Sequence, residues 1–467
     1  MAGPTPRTPA LTAAEGLAKL ATYPFQVLTF IDADGYPVSV AVEAAIDPER
    51  GSAVLAAPAG LDVPAQAEVS LTGSHIRPQP GYGYDERRHV TIWGPLTPAA
   101  EGASLSVAAT RAWGWDEAEV PFFEYSERST GQSKKYFDAL SVERGTPVKP
   151  RLSFPSLVLR TTRLPFLSAT IVPVVLGIVI AARQGSFDLL TAVLTVIGAS
   201  FVQLGLNVAN DVFDTALGAD DANVTPTKFS GGSRVIQYGL VSFRQMAGLA
   251  TVFYVAAGLI GLLLLALRGS PALLAIGVIG FIVSIGYTAP PLKFVYRGLG
   301  EIAVAIGFGP LMLLGAYVVQ TRGLLAWEPV VASLPIALLV ALILYVNEIP
   351  DRRGDARAGK RTLPVRLSKP NVIAGYRLAA VAAYAILVGG VVAGLLPIPA
   401  LLALLTIPLA RQVSRGLEPN YDNPYGLMAV MGVNVKVHLY AGLLLLAGYL
   451  VVLITAALAP SVNLFVR

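Results

Sequence analysis

The amino-acid sequence describes an all-α polytopic membrane bundle of about nine transmembrane helices behind a small soluble, mainly-β domain. The composition is 54% hydrophobic and only 14% charged, where soluble chains carry roughly a quarter charged residues. Most of the chain therefore belongs outside water. The apolar excess begins near Leu164, so residues 1–150 and 151–467 are expected to fold as two domains. In the second part, apolar stretches near the ~20 residues that cross a bilayer recur at 164–182, 188–209, 244–267, 271–288, 299–320, 329–348, 373–394, 396–410 and 437–459. In lipid such stretches are helices, because every backbone polar group must find its partner internally. Cysteine is absent, which removes disulfide and thiolate chemistry. The opening MAGPTPRTPALTAAEG has no apolar core behind a basic start, so no cleavable signal peptide is expected.

In the first domain the apolar residues alternate at the strand period. Phe25 to Ile31 runs into Asp32-Ala-Asp-Gly35, a turn signal, and Tyr36 to Ala44 reads as the return strand. Ser52–Ala57, Glu68–Ile76 and His89–Leu96 read as further strands, and Ser104–Trp113 and Ser133–Leu140 as helices. Short strands at hairpin spacing suggest a small antiparallel barrel. The runs VLTFIDADGYPVSVAV and HVTIWGPL resemble the split-barrel domains of the pyridoxamine-phosphate-oxidase and flavin-reductase group. That resemblance implies a flavin, haem or deazaflavin as ligand without assigning ligand residues. His75, Arg77, Arg87, Arg88 and His89 are candidates to meet a phosphate-bearing cofactor; a solvated basic loop is the plainer reading.

Charge sets the topology. With nine spans, the first domain shares a side with the even-numbered loops, which carry Lys228, Arg234, Lys293, Arg297, Arg352, Arg353, Lys360, Arg361 and further basic residues. The other side holds Arg183, Arg268, Arg322 and Arg467. The positive-inside rule then puts the first domain in the cytoplasm of a cell (plasma) membrane protein.

Chemistry concentrates at two helix ends. The second span closes on Asn210-Asp211-Val-Phe-Asp214, followed by Gly218-Ala-Asp220-Asp221; the sixth closes on Asn347-Glu348-Ile-Pro-Asp351-Arg-Arg-Gly-Asp355. Asp211 and Asp214 are three apart and Asp351 and Asp355 four apart, so each pair shares a helix face. A helix C-terminus disfavours carboxylates, and acids at the bilayer boundary are costly. A hard cation removes that cost, since Mg²⁺ takes oxygen ligands and bridges carboxylates to phosphates. Lys228 and Arg234 follow the first cluster, and Lys360 and Arg361 the second. Acids that hold Mg²⁺ beside cations are what a diphosphate requires. Loops whose acids and bases merely pair are the alternative, weaker for two matched clusters than for one.

These two motifs, with Gly286-Tyr287-Thr-Ala-Pro-Pro-Leu-Lys293 and Arg297-Gly298-Leu-Gly300-Glu301 between them, resemble the UbiA superfamily of intramembrane prenyltransferases over about residues 160–460. The resemblance implies a nine-helix bundle with a central cavity open to the cytoplasmic face and to lipid. It implies that Mg²⁺ bound by Asp211, Asp214, Asp220, Asp351 and Asp355 clamps an allylic polyprenyl diphosphate. Asp220, not Asp221, completes the D-x-x-x-G-x-D spacing of the naphthoate branch. Asn210 and Asn347 would support the metal shell. Lys228, Arg234, Lys293, Lys360 and Arg361 would neutralise the leaving diphosphate, and Tyr287 would face the allylic cation, although a bundle tyrosine is more often packing. The runs Thr225–Val235 and Ala358–Leu367 resemble the 1,4-dihydroxy-2-naphthoate polyprenyltransferases of menaquinone biosynthesis. That points to an aromatic acceptor which loses its carboxylate on prenylation; no general base stands out.

Other acceptors of the same class are 4-hydroxybenzoate, homogentisate, haem, a chlorin alcohol or a glycerol-phosphate lipid. From another class, a cation-coupled transporter also uses intramembrane acids, but places them at the midplane, not at helix mouths. A CDP-alcohol phosphotransferase carries its acids in one compact motif. Nucleic acid is not an expected partner, and the lipid bilayer is.

Overall fold

The protein, in a computed structural model, is described over residues 10–60, 63, 66–79, 83–99, 104–459 and 461–466. It divides into two compact units, Met1–Ser129 and Thr130–Arg467.

The first unit is antiparallel. Its elements are β1 (Ala10–Leu11), α1 (Ala13–Leu20), β2 (Gln26–Ile31), β3 (Pro37–Val42), β4 (Ala44–Asp47), β5 (Ser52–Ala56), β6 (Glu68–Gln79), β7 (Gly83–Pro98), β8 (Ser104–Ala108) and β9 (Arg111–Asp116). The β2–β3 turn is set by Asp32, whose Oδ1 accepts the N–H groups of Asp34 at 3.0 Å and Tyr36 at 2.8 Å. Two long runs bind the sheet into a ring. Residues 37–47 pair with β2 through β3 and with β5 through β4; β7 pairs with β6 along its first part and with β8 at its end. With β2 on β6 and β5 on β8, the circuit closes. Leu17 and Leu20 of α1 fill it with Leu28, Phe30, Leu71, Ile92 and Val107.

Ser104–Trp113, expected to be helical, forms β8 and the start of β9 instead. Register with β5 and β7 supplies the backbone partners there, so sheet pairing overrides local propensity. Ser133–Leu140 lies within a longer helix, α2 (Phe122–Arg144). The basic residues considered for phosphate are largely paired: Arg77 with Asp85 and Glu86, and Arg87 with Glu117.

The second unit is helical: α3 (Phe154–Thr162), α4 (Ser168–Arg183), α5 (Leu189–Ala216), α6 (Ala219–Ala222), α7 (Phe243–Arg268), α8 (Pro271–Gly286), α9 (Gly300–Ile306), α10 (Met312–Thr321), α11 (Trp327–Arg357), α12 (Leu363–Arg366), α13 (Lys369–Val392), α14 (Ile407–Asn420) and α15 (Pro424–Leu458). A π-helical turn at Gly307–Leu311 joins α9 to α10, accommodating Pro310, which has no N–H to give. Local signals start the spans: Asp188 caps α5, Ser242 closes a capping box on α7, and Ser270 caps α8 ahead of Pro271. Small residues set the packing distance. A Cβ on Gly177 of α4 would stand 2.3 Å from the Leu313 carbonyl oxygen of α10.

Nine apolar rods follow one another in the expected order, and among the described residues 7 are long and apolar enough to span a bilayer. The fourth, α8, has 16 residues. The eighth is a 3-10 segment, Ile398–Thr406, running into the polar-faced α14. The ninth begins at Pro424, well before the apolar stretch from 437, because Asn434, Lys436 and His438 continue the helix without being hydrophobic. The two motif helices also outrun their apolar parts, so α5 and α11 carry the acids as true helical residues.

Candidate active site

The ends of α5 and α11 come together around a cavity of about 170 Å³. Its wall includes Asn210, Asp214, Asp220, Tyr287, Asn347, Glu348, Asp351, Asp355, Lys360 and Arg163. Motifs about 140 residues apart in sequence thus form one site: the Lys360 Nζ lies 3.2 Å from Asp214 and 3.8 Å from Asp355.

On the α5 side, Asp214 accepts the Tyr296 hydroxyl at 2.7 Å and the Asn210 amide at 3.0 Å. Asn210 also donates to the Thr288 hydroxyl at 3.2 Å. Asp211, 2% exposed, stands just behind the wall, ion-paired with Arg163 and accepting the Ser233 N–H at 3.2 Å. Asp220 lines the cavity from α6, whereas Asp221 is exposed. Burial first, and then the Asp214 and Asp211 carboxylates, push the Asp220 carboxyl well above the ordinary aspartate range.

On the α11 side, Asp351 accepts the Asn223 amide at 2.9 Å and the Gly231 N–H at 2.8 Å. Asp355 keeps Oδ2 without a hydrogen-bond partner, as Asn347 keeps Oδ1. Burial alone would lower the Lys360 ammonium, but Asp214 and Asp355 hold it above the ordinary lysine range. It is a fixed positive charge between the two motifs.

The loop 230–233 ties the clusters together. Gly231 and Gly232 have φ of +77° and +76°, a left-handed geometry that favours glycine. A Cβ on Gly232 would lie 2.9 Å from Asp220 Oδ1 and 3.3 Å from Asp211 Oδ1. The loop can pass so close only because it carries no side chain there.

Four expected phosphate cations lie elsewhere. Lys228 and Arg361 are exposed and outside the wall. Arg234 is buried, its guanidinium donating to the Asp220 backbone carbonyl. Lys293 sits 5.7 Å from the Tyr296 ring centroid. Arg163 was not among the expected residues, since a single arginine before the first span reads as a boundary charge. Tyr296, Thr288 and Asn223 also carry no motif signal. Only the fold brings them in.

A second, apolar channel of about 520 Å³ shares Gln203, Leu206, Tyr287, Val304 and Phe308 with the polar cavity. It runs between α5, α7, α8 and the α9–α10 rod. Cβ atoms on Gly258, Gly261, Gly277 and Gly280 would meet nothing within 4 Å, and Leu262, Val278 and Ile282 in its wall are exposed. The channel therefore gives onto the face that a bilayer covers.

Among the described residues no group of three carboxylates or imidazoles is gathered tightly enough to hold a metal as it stands. The donor set nevertheless fits a hard cation: carboxylate oxygens on both sides, and unpartnered oxygens on Asp355 and Asn347.

Comparison with known proteins agrees with this geometry. Residues 170–432, more than half of the chain, match the model of the UbiA prenyltransferase family. A 1,4-dihydroxy-2-naphthoate octaprenyltransferase of Bacillus subtilis is 26% identical over 66% of this chain and 96% of its own. A protein of the same description from Escherichia coli is 32% identical over 46% of this chain and 68% of its own. A solved UbiA homologue from Archaeoglobus fulgidus, bound to GPP and Mg²⁺, aligns over 62% of this chain and 99% of its own, at 13% identity and a TM-score of 0.45. With two acid motifs on one cavity, apolar helices around it and a family match across the bundle, the chain belongs to the UbiA prenyltransferase family and is a multi-pass membrane prenyltransferase.

Proposed function

We propose that the protein transfers a polyprenyl group from an allylic diphosphate to 1,4-dihydroxy-2-naphthoate, in a Mg²⁺-dependent step of menaquinone biosynthesis. The observation that carries this reading is the joining of an acid-lined cavity to an apolar channel through Tyr287, Val304 and Phe308. A diphosphate and a long hydrocarbon need those two environments side by side. The naphthoate-using relatives support the acceptor.

Asp211, Asp214, Asp220, Asp351 and Asp355 are the residues that would hold the metal, with Asn210 and Asn347 beside them. Bound Mg²⁺ would supply charge neutralisation for the departing diphosphate. Lys360, fixed between the motifs, offers a protein cation to the same group. Tyr287 presents a ring where the cavity meets the channel, so its π-face can stabilise charge on the allylic carbon. The bundle's apolar side chains exclude water, which would otherwise capture that carbon. The basic loops place this site at the cytoplasmic face of the cell membrane.

The test is diphosphate release by the purified chain in lipid, with Mg²⁺, a long allylic diphosphate and one acceptor at a time. Release that requires both Mg²⁺ and 1,4-dihydroxy-2-naphthoate, with CO₂ formed, is the expected result. Release with 4-hydroxybenzoate or homogentisate instead would move the acceptor and keep the chemistry. For the first unit, the split-barrel resemblance makes a flavin, haem or deazaflavin the ligand class to titrate. Full-length protein that is colourless and binds none of them removes that proposal.

A further inference from the structure

The α11 face that carries Asp351 and Asp355 continues inward to Glu348, three residues below Asp351 and on the same side of the helix. That places it about 4.5 Å further along the axis. Glu348 lines the cavity and is 5% exposed, yet neither of its carboxylate oxygens has a hydrogen-bond partner among the described residues. A buried carboxyl left unpaired inside a span is expensive, and neither the metal reading nor the packing uses it. Facing it are the Glu301 carboxyl of α9, itself with an unpartnered oxygen, and Lys360, Asp355, Tyr287 and Tyr345. The cavity wall around that level is otherwise apolar, with Val304, Phe308 and Ile343. A diphosphate at the mouth acids, with its hydrocarbon in the channel, leaves its allylic carbon between the two. That is the level of Glu348 and Tyr287.

We propose that Glu348 is the general base of the transfer, accepting the proton of the acceptor's ring hydroxyl. The proposal rests on the naphthoate reading above. The allylic C–O bond breaks and its electron pair leaves on the diphosphate. The ring carbon that bears the carboxylate bonds the allylic carbon through its π pair. A lone pair of the neighbouring hydroxyl oxygen closes a C=O, and its proton passes to a Glu348 oxygen. When CO₂ departs, the C–C pair re-forms the ring double bond, the carbonyl π pair returns to oxygen, and Glu348 gives the proton back. The quinol results with no net proton lost and no further reactant. A base at this point contributes typically 10²–10⁴-fold.

The test compares wild-type protein and E348Q, full length in lipid, with Mg²⁺, a long allylic diphosphate and 1,4-dihydroxy-2-naphthoate. E348Q should lower kcat by about 10²–10⁴-fold and leave the donor KM near wild type. Its residual rate should climb with pH as the acceptor hydroxyl ionises in solution, a rise the wild type does not need. A near-normal kcat in E348Q overturns the proposal. So does a joint loss of kcat and donor affinity with no recovery at high pH, the mark of a purely structural carboxyl. If E348Q fails to insert, E348D carries the test: lowered kcat with donor KM kept supports the role, and weakened donor binding with kcat kept defeats it. Wild-type protein that prenylates another hydroxylated ring but not the naphthoate refutes the acceptor assignment alone. Glu348 is then judged on that ring by the same readouts.

Discussion

At the end of α5 each motif aspartate of the helix already has a charged or hydroxyl partner, whereas at the end of α11 the partners are neutral and several oxygens have none. Asp211 is committed to Arg163, and Asp214 to Lys360 and Tyr296. Asp351 is held by an amide and a backbone N–H, while Asp355, Asn347 and Glu348 keep oxygens without hydrogen-bond partners. Structural ion pairs inside proteins match charge for charge because an unpaired buried charge is costly. The α5 side obeys that rule and the α11 side breaks it. The difference teaches that one wall is organised by the protein's own cations, and that the other retains coordinating capacity for a ligand.

Substitutions can break this asymmetry in graded steps. The largest effect is expected from Asp351→Asn, or from Asp211→Asn opposite. Each should cut prenyl transfer by at least about 10²–10³-fold, the cost of losing one preorganised electrostatic contact, while the protein still inserts and folds. Activity near normal in both would end the two-sided reading. Lys360→Met comes next. Loss of the bridging cation should lower kcat by about 10²-fold and raise the donor KM, measured by steady-state diphosphate release; a change confined to acceptor KM would relocate Lys360.

Gly232→Ala tests the loop that joins the walls. Its φ of +76° and the 2.9 Å approach to Asp220 predict a stability loss of about 1–2 kcal/mol, read as a lower unfolding temperature in lipid. Unchanged stability would show that the loop is not fixed by the two clusters. The smallest effect belongs to Tyr296→Phe, which removes one hydrogen bond to Asp214. A net bond of about 1 kcal/mol corresponds to roughly a fivefold fall in rate, with Mg²⁺ dependence kept. A fall as deep as that of Asp351→Asn would make Tyr296 part of the chemistry.

Particular residues show which parts of this site were legible beforehand. Asp211 with Asp214, and Asp351 with Asp355, are spaced for one helix face and stand where an acid is costly, so their spacing alone exposed them. Asp220 was separable from Asp221 by motif spacing, and its place in the wall is as that spacing suggests. Lys228, Lys293 and Arg361 looked equivalent to Lys360, because proximity in sequence does not tell which cation a turn directs inward. Arg163 is the reverse case: a span-boundary residue whose ion pair reaches across to α5. In the first unit, residues 104–108 alternate at the strand period, yet only their register with β5 decided between strand and helix.

Hydropathy, charge asymmetry and the two acid motifs are local or compositional properties, and they alone determined that this is a membrane bundle with paired acidic sites. The price of burying polar backbone and carboxylate groups in lipid leaves few ways to place them, so the chain must announce them in its sequence. Partner choice is different in kind. Which cation meets Asp214, which amide meets Asp351, and that Glu348 has none depend on contacts between residues more than a hundred positions apart. Those contacts exist only once the helices have packed, because close packing, not sequence proximity, decides which side chains share a cavity.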